Sequence, residues 1–426
     1  MIKIIDARKT PLEEIVNRKE ADRPDVSAAV LEIIDAVRER KDEALRELTL
    51  RFDSAEVGDF RVSDAEIAAA KEETGDGFME ILKAAAKNIR DFHKYQLREG
   101  YTIENGDGVV MGQRVMPLER VGVYVPGGTA PYPSTVLMNV IPAKIAGVSD
   151  IALLTPPRAD GSIDAGILAA AAIAGANSVY KVGGAQAIAA LAFGTQSIKK
   201  VDKIVGPGNI YVATAKKMVY GMTGIDMIAG PSDILVIADS TADASFVAAD
   251  LLSQAEHDED SSAILITPDL RLAEAVRRQT ENQISRLERS SIAKASIAQN
   301  GMILICKDLG HATEISNALA PEHLELCVAE PFALLEGIRN AGSVFLGHYT
   351  PEALGDYFAG PNHTLPTMGT ARFSSPLSVD DFLKKSSFLS YSREAFLKAA
   401  PMVEAFASKE GLTAHAKSVA VRMEGV

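Results

Sequence analysis

From residue 119 onward the chain repeats one grammar: a short run rich in β-branched and aliphatic residues, a glycine or proline turn, then a longer stretch at helical spacing. The runs read RVGVYVPGG, DIALLTPP, SVYKVGGAQ, DKIVGPGN, DILVIADS, SAILITPD, MILICKD and AGSVFLGHY. Runs that are apolar throughout belong to strands covered on both faces, and the intervening helices supply the cover. An α/β chain with parallel sheets and right-handed crossovers is therefore expected, its ligands gathered at the strands' carboxyl ends. DIALLTPPRADG and SAILITPDLRLAEA share a strand closing on Thr-Pro before a helix. Internal duplication and the general likeness of αβ units both account for that.

The flanks read differently. Residues 27–51 place Val30, Ile33, Ile34, Val37, Leu45 and Leu48 at helical spacing, which predicts one amphipathic helix. FMEILKAAAKNIRDFHKYQ predicts a second, with His93 as a solvated side chain, and EETGDGFMEIL at 72–82 is less regular. After Pro376 the pattern turns helical again. The alanine-rich run at 165–176 is shorter than the roughly 20 apolar residues a membrane helix needs. No spacer rich in Ser or Gly divides the chain, so boundaries are expected in turns such as Pro126-Gly127-Gly128 and Gly230-Pro231.

A chain of 426 residues, 47% hydrophobic, buries enough for two or more domains. Its net charge of −13 argues against nucleic acid or an anionic membrane as the main partner. Cys306 and Cys327 make neither a disulfide framework nor a Cys-rich zinc cluster, and MIKIIDARKT is charged too early for a signal peptide. A reducing compartment, the cytoplasm, is expected.

Several signatures are missing: G-x-G-x-x-G, G-x-x-x-x-G-K, H-E-x-x-H, C-x-x-C and G-x-S-x-G. Glycines nevertheless close three strands, in YVPGG, KVGGAQA and VGPGNIYVATAKK, and the helices after the last two offer N-terminal N–H groups to a phosphate. Such turns also arise for structural reasons. Among the seven histidines, His311 and His348 have no partner logic. Gln254 and His257 share a helix face at i and i+3, a spacing that ordinary surface also produces. Glu322-His323 offers a carboxylate and an imidazole, the usual general bases near neutral pH, or an unremarkable turn. Asp356 precedes His363 in a Gly/Pro-rich loop, as a site residue or a turn cap.

Read jointly, VYVPGGTAPYPSTVLMNVIPAKIAG, KVGGAQAIAALAFGT, VDKIVGPGNIYVATAKK, AGPSDILVIADS, DLLSQAEH, APEHLEL, AGSVFLG, GPNHTLPTMGTARFSSPLSVDDF and GLTAHAKSVAVR closely resemble the histidinol dehydrogenases, in order and over nearly the whole chain. The resemblance implies NAD-dependent four-electron oxidation of L-histidinol to L-histidine through an enclosed L-histidinaldehyde, a step of histidine biosynthesis. It implies zinc on Gln254, His257, Asp356 and His415, with Mn²⁺ or Co²⁺ as substitutes, and Glu322 and His323 as the bases. Tyr124, Gln186 and Asn209 match cofactor contacts. Ser232, His363 and Glu410 match substrate contacts, alongside His323 and the metal ligands Gln254, His257, Asp356 and His415. It also implies an intertwined homodimer in which Glu410 and His415 reach the partner's site.

The expected layout is two Rossmann-like parallel-sheet domains with small N- and C-terminal helical elements. Residues 1–24 form a helical extension, 25–126 with 234–376 the larger domain carrying metal and bases, 127–233 the smaller cofactor domain, and 377–426 a helical tail. Two rivals stand beside it. A paralogue oxidising another polar alcohol, such as a sulfonated propanediol, would want a cation in the pocket, and Arg372 in TARFSS is one candidate. A zinc hydrolase would use Glu322 on a metal-bound water and leave the glycine turns without a ligand.

Overall fold

The computed structural model describes residues 2–16, 24–127 and 131–424. Gly128 of the first glycine turn and residues 17–23 of the N-terminal segment lie outside them. The chain divides into two units, Met1–Gln96 with Leu118–Phe382 and Leu97–Pro117 with Leu383–Val426.

The first unit holds two parallel sheets. One has the spatial order Ser178–Lys181, Asp150–Thr155, Arg120–Tyr124, Lys203–Val205, Gly224–Ile225. Numbered along the chain within the sheet, that order is 3-2-1-4-5, the winding of a Rossmann half. The other runs Lys3–Asp6, Met302–Ile305, Ser262–Thr267, Asp233–Ala238, His323–Cys327, Ser343–Leu346. Without its first edge strand it repeats 3-2-1-4-5. The two Thr-Pro segments occupy the same place, the second strand of each winding. All eight runs read from the sequence contain strands.

Several expectations are corrected. The helix expected over 27–51 is two helices, Ser27–Arg40 and Asp42–Asp53, broken at Lys41, whose φ of 55° leaves the helical region. The break lets Lys41 Nζ donate to the Gly194 carbonyl at 3.0 Å and Asp42 N–H to Gln196 Oε1 at 3.0 Å. Both helices pack on the five-stranded sheet, where Val30, Ile33, Leu45 and Leu48 join Tyr124, Leu154 and Ile188 in one core. Residues 25–126, expected in the larger domain with 234–376, thus supply that sheet's central strand and two of its covering helices. Near the N-terminus, the β-branched run Lys3–Asp6 pairs with Met302–Ile305 as a strand instead of forming helix. His93 is buried, not solvated, with Nδ1 2.8 Å from the Ile89 carbonyl. Gly75, at φ 73° and ψ 152°, kinks the long helix Asp64–His93 inside its irregular stretch.

The second unit is an antiparallel sheet in the order Leu383–Tyr391, Val109–Pro117, Tyr101–Glu104, with helices Arg393–Lys409 and Thr413–Glu424. The segment from 377 is therefore not wholly helical. Leu383–Tyr391 is mostly exposed and lacks an apolar alternation, so its pairing left no period in the sequence.

Candidate functional site

In the six-stranded sheet the chemistry gathers at the amino ends of two neighbouring strands, not the carboxyl ends. Asp233 begins one strand and His323 its neighbour, and His323 registers against Ile234. The Glu322 N–H donates to Asp233 Oδ1 at 2.9 Å, and the Asp233 N–H donates to Glu322 Oε2 at 3.0 Å. This reciprocal clamp fixes the Glu322 carboxylate in a buried place, where burial first of all pushes its pKa up to about 8.

His323 is equally buried, with Nδ1 3.1 Å from the Asp233 carbonyl oxygen. The Asp233 carbonyl only accepts and calls for hydrogen on Nδ1, whereas the Gln254 Nε2 amide, 3.3 Å from the same atom, only donates; the shorter carbonyl contact decides, and the neutral ring keeps its lone pair on Nε2. That Nε2 has no hydrogen-bond partner among the described residues and lies 3.6 Å from Asp356 Oδ1 and 4.0 Å from Glu352 Oε1. Burial disfavours the imidazolium, but Glu322, Asp356 and Glu352 outweigh it and raise the pKa to about 10.

Gln254 lies in the last turn of the helix Ala244–Ala255, which returns antiparallel to the strands and so delivers that turn to this end of the sheet. Its Nε2 donates to Glu352 Oε1 at 2.7 Å, and its Oε1 is buried without a partner among the described residues. Glu352 opens the short helix Glu352–Leu354, and a wide π-type turn, Gly355–Ala359, carries Asp356. Local widening of this kind re-aims side chains and recurs at functional sites. Burial opposes ionisation of Asp356, yet its contacts with His323 and His363 hold its pKa well below the carboxylate range. Burial lowers the pKa of His257 while Asp356 pulls it the other way and His323 adds to the lowering, which makes those two its electrostatic neighbours and its neutral form the prevailing one.

A divalent cation suits this set. His323, Glu352 and Asp356 each present a ligand atom within 4.8 Å of the others. The orphaned Gln254 Oε1, an ionised Asp356 and a neutral His257 are the nitrogen and oxygen donors zinc accepts. Ser232 precedes Asp233, and its carbonyl accepts from Ser262 N–H at 3.1 Å. His363 has both ring nitrogens engaged, Nδ1 3.0 Å from the Asp356 carbonyl oxygen and Nε2 3.2 Å from Thr135 Oγ1. The cluster is built from the first unit alone. Glu410, after Arg393–Lys409, and His415, in Thr413–Glu424, belong to the second unit.

The five-stranded sheet places its candidates at the carboxyl ends, beside the switch in strand order. Tyr124 ends the first strand, its hydroxyl accepts from Gly184 N–H at 3.1 Å, and burial pushes its pKa up to about 12. Gly206, at φ 110°, lies against the Tyr124 carbonyl where a β-carbon has no room. Its N–H donates to Asp226 Oδ2 at 2.7 Å, its carbonyl accepts from Lys216 Nζ at 2.9 Å, and Lys216 and Asp226 pair in full burial. Asn209 caps Ile210–Val219, its Oδ1 accepting from Tyr211 and Val212 N–H. Among the described residues, buried Gln186 has neither amide atom partnered, and Thr155 Oγ1 is likewise unpartnered.

Sequence reasoning missed Asp233 and Glu352. Asp233 leaves no signal, since an acid opening a strand is ordinary. Glu352 does leave one, because it precedes Asp356 by four residues, the spacing that puts two side chains on one helical face.

The histidinol dehydrogenase family model matches residues 16–423. A histidinol dehydrogenase of Bacillus cereus is 54% identical over 423 residues, covering 99% of this chain and 96% of its own length. One from Clostridium acetobutylicum is 52% identical over 412 residues, covering 97% and 96%. The crystal structure of histidinol dehydrogenase from Elizabethkingia anophelis superposes with a TM-score of 0.94 at 41% identity, covering 100% of this chain and 98% of that one. Likeness of this extent, in sequence and in three dimensions, means that the chain belongs to the histidinol dehydrogenase family.

Proposed function

We propose that this oxidoreductase converts L-histidinol to L-histidine in histidine biosynthesis, using NAD⁺ twice and one water, with L-histidinaldehyde held between the steps. The observation that carries the reading is the pair of buried, unpartnered atoms His323 Nε2 and Gln254 Oε1, one a base and one a ligand, in a single cluster. His323 Nε2, with Nδ1–H anchored on Asp233, takes the hydroxyl proton as hydride leaves the carbinol carbon. Glu322, clamped by Asp233 and made a stronger base by burial, takes a proton from the water that adds to the aldehyde. Once it has released the first proton to solvent, His323 accepts the proton of the hydrated aldehyde's hydroxyl as the second hydride departs.

Gln254, His257 and Asp356, with His415 of the partner subunit, would hold zinc. Bound there, zinc would supply Lewis-acid binding of the substrate's imidazole and amino nitrogens, and would offset the charge of Asp356 that otherwise favours the imidazolium of His323. Tyr124, Gln186 and Asn209 would hold NAD, which supplies the hydride acceptor, and the orphaned Gln186 amide supports that assignment. Ser232, His363 and Glu410 are proposed to contact the substrate.

Exposed Met402, Val403, Phe406 and Leu412 on the second unit support a homodimer covering that face, with Glu410 and His415 serving the partner's site. Buried free Cys306 and Cys327 support a cytoplasmic location, and no helix among the described residues is long and apolar enough to cross a membrane. Arg372, the candidate sulfonate ligand, spends its guanidinium on the Ala318 carbonyl, which favours histidinol over a sulfonated alcohol.

The test follows NADH release from histidinol and from histidinal separately. Glu322→Gln should lower histidinal oxidation about 10²-fold while leaving aldehyde formation within about tenfold. Equal losses in both halves would remove Glu322 from the water step, and no NADH from either substrate would refute the dehydrogenase reading.

A further inference from the structure

The amide of Gln254 is useful to a cation in only one of its two orientations. Turned as it stands, Nε2 faces the Glu352 carboxylate and Oε1 lies buried with no donor to meet. Turned over, Oε1 would confront a carboxylate oxygen, acceptor against acceptor, and the NH₂ would point where a cation needs a lone pair. We propose that Glu352 is a positioning residue that locks the Gln254 side chain so that Oε1 is presented to a divalent metal. This rests on the zinc site proposed above.

Glu352 is itself held at three points, which makes it a fixed reference and not a mobile neighbour. Its N–H donates to Glu325 Oε1 at 2.7 Å, Ser253 Oγ donates to its Oε2 at 2.8 Å, and its Oε1 takes the Gln254 Nε2 hydrogen at 2.7 Å. Ser253 and Gln254 are adjacent in the same helix, so one helix turn grips both oxygens of one carboxylate. Partners that orient a metal ligand typically change metal affinity by 10–100-fold when removed.

The experiment uses the full-length, zinc-loaded protein and reads zinc retention against a chromophoric chelator, independently of turnover. Glu352→Gln is expected to weaken retention by about tenfold or more, because a second amide accepts either orientation of Gln254. Adding Gln254→Glu to that variant should restore retention to within about threefold, since a carboxylate presents oxygen whichever way it turns. Undiminished retention in Glu352→Gln overturns the proposal, and so does a loss that Gln254→Glu fails to rescue. Should Glu352→Gln not fold, Ser253→Ala, which frees the far oxygen without changing charge, should weaken retention several-fold, and no change overturns the proposal. His257→Asn separates the layers: if it also keeps its zinc, the metal reading itself has failed, whereas zinc lost there but kept in Glu352→Gln sinks only the role of Glu352.

Discussion

Two sheets in one unit wind in the same 3-2-1-4-5 order, yet they use opposite ends. The five-stranded sheet follows the rule for open α/β sheets: Tyr124, the Gly184 turn and the Gly206 turn stand at carboxyl ends, beside the switch between Arg120–Tyr124 and Lys203–Val205. The six-stranded sheet puts Glu322, His323 and Asp233 at the amino ends of the strands flanking its own switch. Their contents differ too. One end offers backbone N–H groups, a phenol and a neutral amide, suited to holding a ligand without transferring protons. The other crowds Glu322, Glu352, Asp356 and His323 into burial, where pKa values separate and proton transfer becomes possible. Shared topology therefore places strands and leaves the chemistry to whichever loops carry it.

The largest expected effect tests that division of labour. His323→Asn should lower kcat about 10²–10⁴-fold with either substrate while NAD⁺ affinity, measured by titration calorimetry, stays within about twofold. A matching loss of NAD⁺ affinity would break the separation of the two ends.

Next in size is Lys216→Met, which leaves Asp226 buried without its partner. Losing one member of a buried pair costs about 3–5 kcal/mol, to be read from the midpoint of urea unfolding. Because the pair also holds both polar atoms of Gly206, the folded fraction should show a raised KM for NAD⁺ with kcat little changed. If instead zinc retention falls and the cofactor KM does not, the Gly206 turn does not serve the cofactor.

The sequence revealed this comparison unevenly. Continuous apolar runs exposed eight strands, because a strand buried on both faces has no polar residue to break it. The strand His323–Cys327 escaped notice because buried His323 and Glu325 interrupt its apolar character, and those interruptions are where the chemistry sits. A residue-by-residue reading left Gln254 and His257 as ordinary helix surface, and only family resemblance singled them out. What no pattern conveyed was the end of the sheet in use: that depends on the helix Ala244–Ala255 delivering its last turn, and Gly355–Ala359 widening, at the amino side.

Gln186 sharpens the five-stranded side. Gln186→Leu keeps the volume and removes two buried polar atoms that lack partners among the described residues, so the fold should lose nothing and gain slightly in thermal midpoint. KM for NAD⁺ should rise about tenfold, the usual penalty for a lost hydrogen-bonding group in a ligand site. A variant with unchanged KM and raised stability would make the orphaned amide a packing defect and not a cofactor contact.

The smallest effect belongs to Asp53, a carboxylate near Tyr124 whose Oδ2 is buried without a partner. Burial raises its pKa from the ordinary 3.8 to about 6. The folded chain therefore holds this proton more tightly than the unfolded chain, so stability is highest below about pH 4 and is lost as pH rises through 6. Asp53→Asn removes the penalty. Allowing for partial solvent screening, the variant should be more stable by about 1 kcal/mol at pH 8, with the advantage shrinking by pH 4.5, as read from urea unfolding at both values. An advantage of equal size at both pH values would mean that Asp53 is not desolvated in the native state. A loss of stability at pH 8 would mean instead that its charge has a partner, and the end with Tyr124 would then be ionic in the same manner as the end with His323.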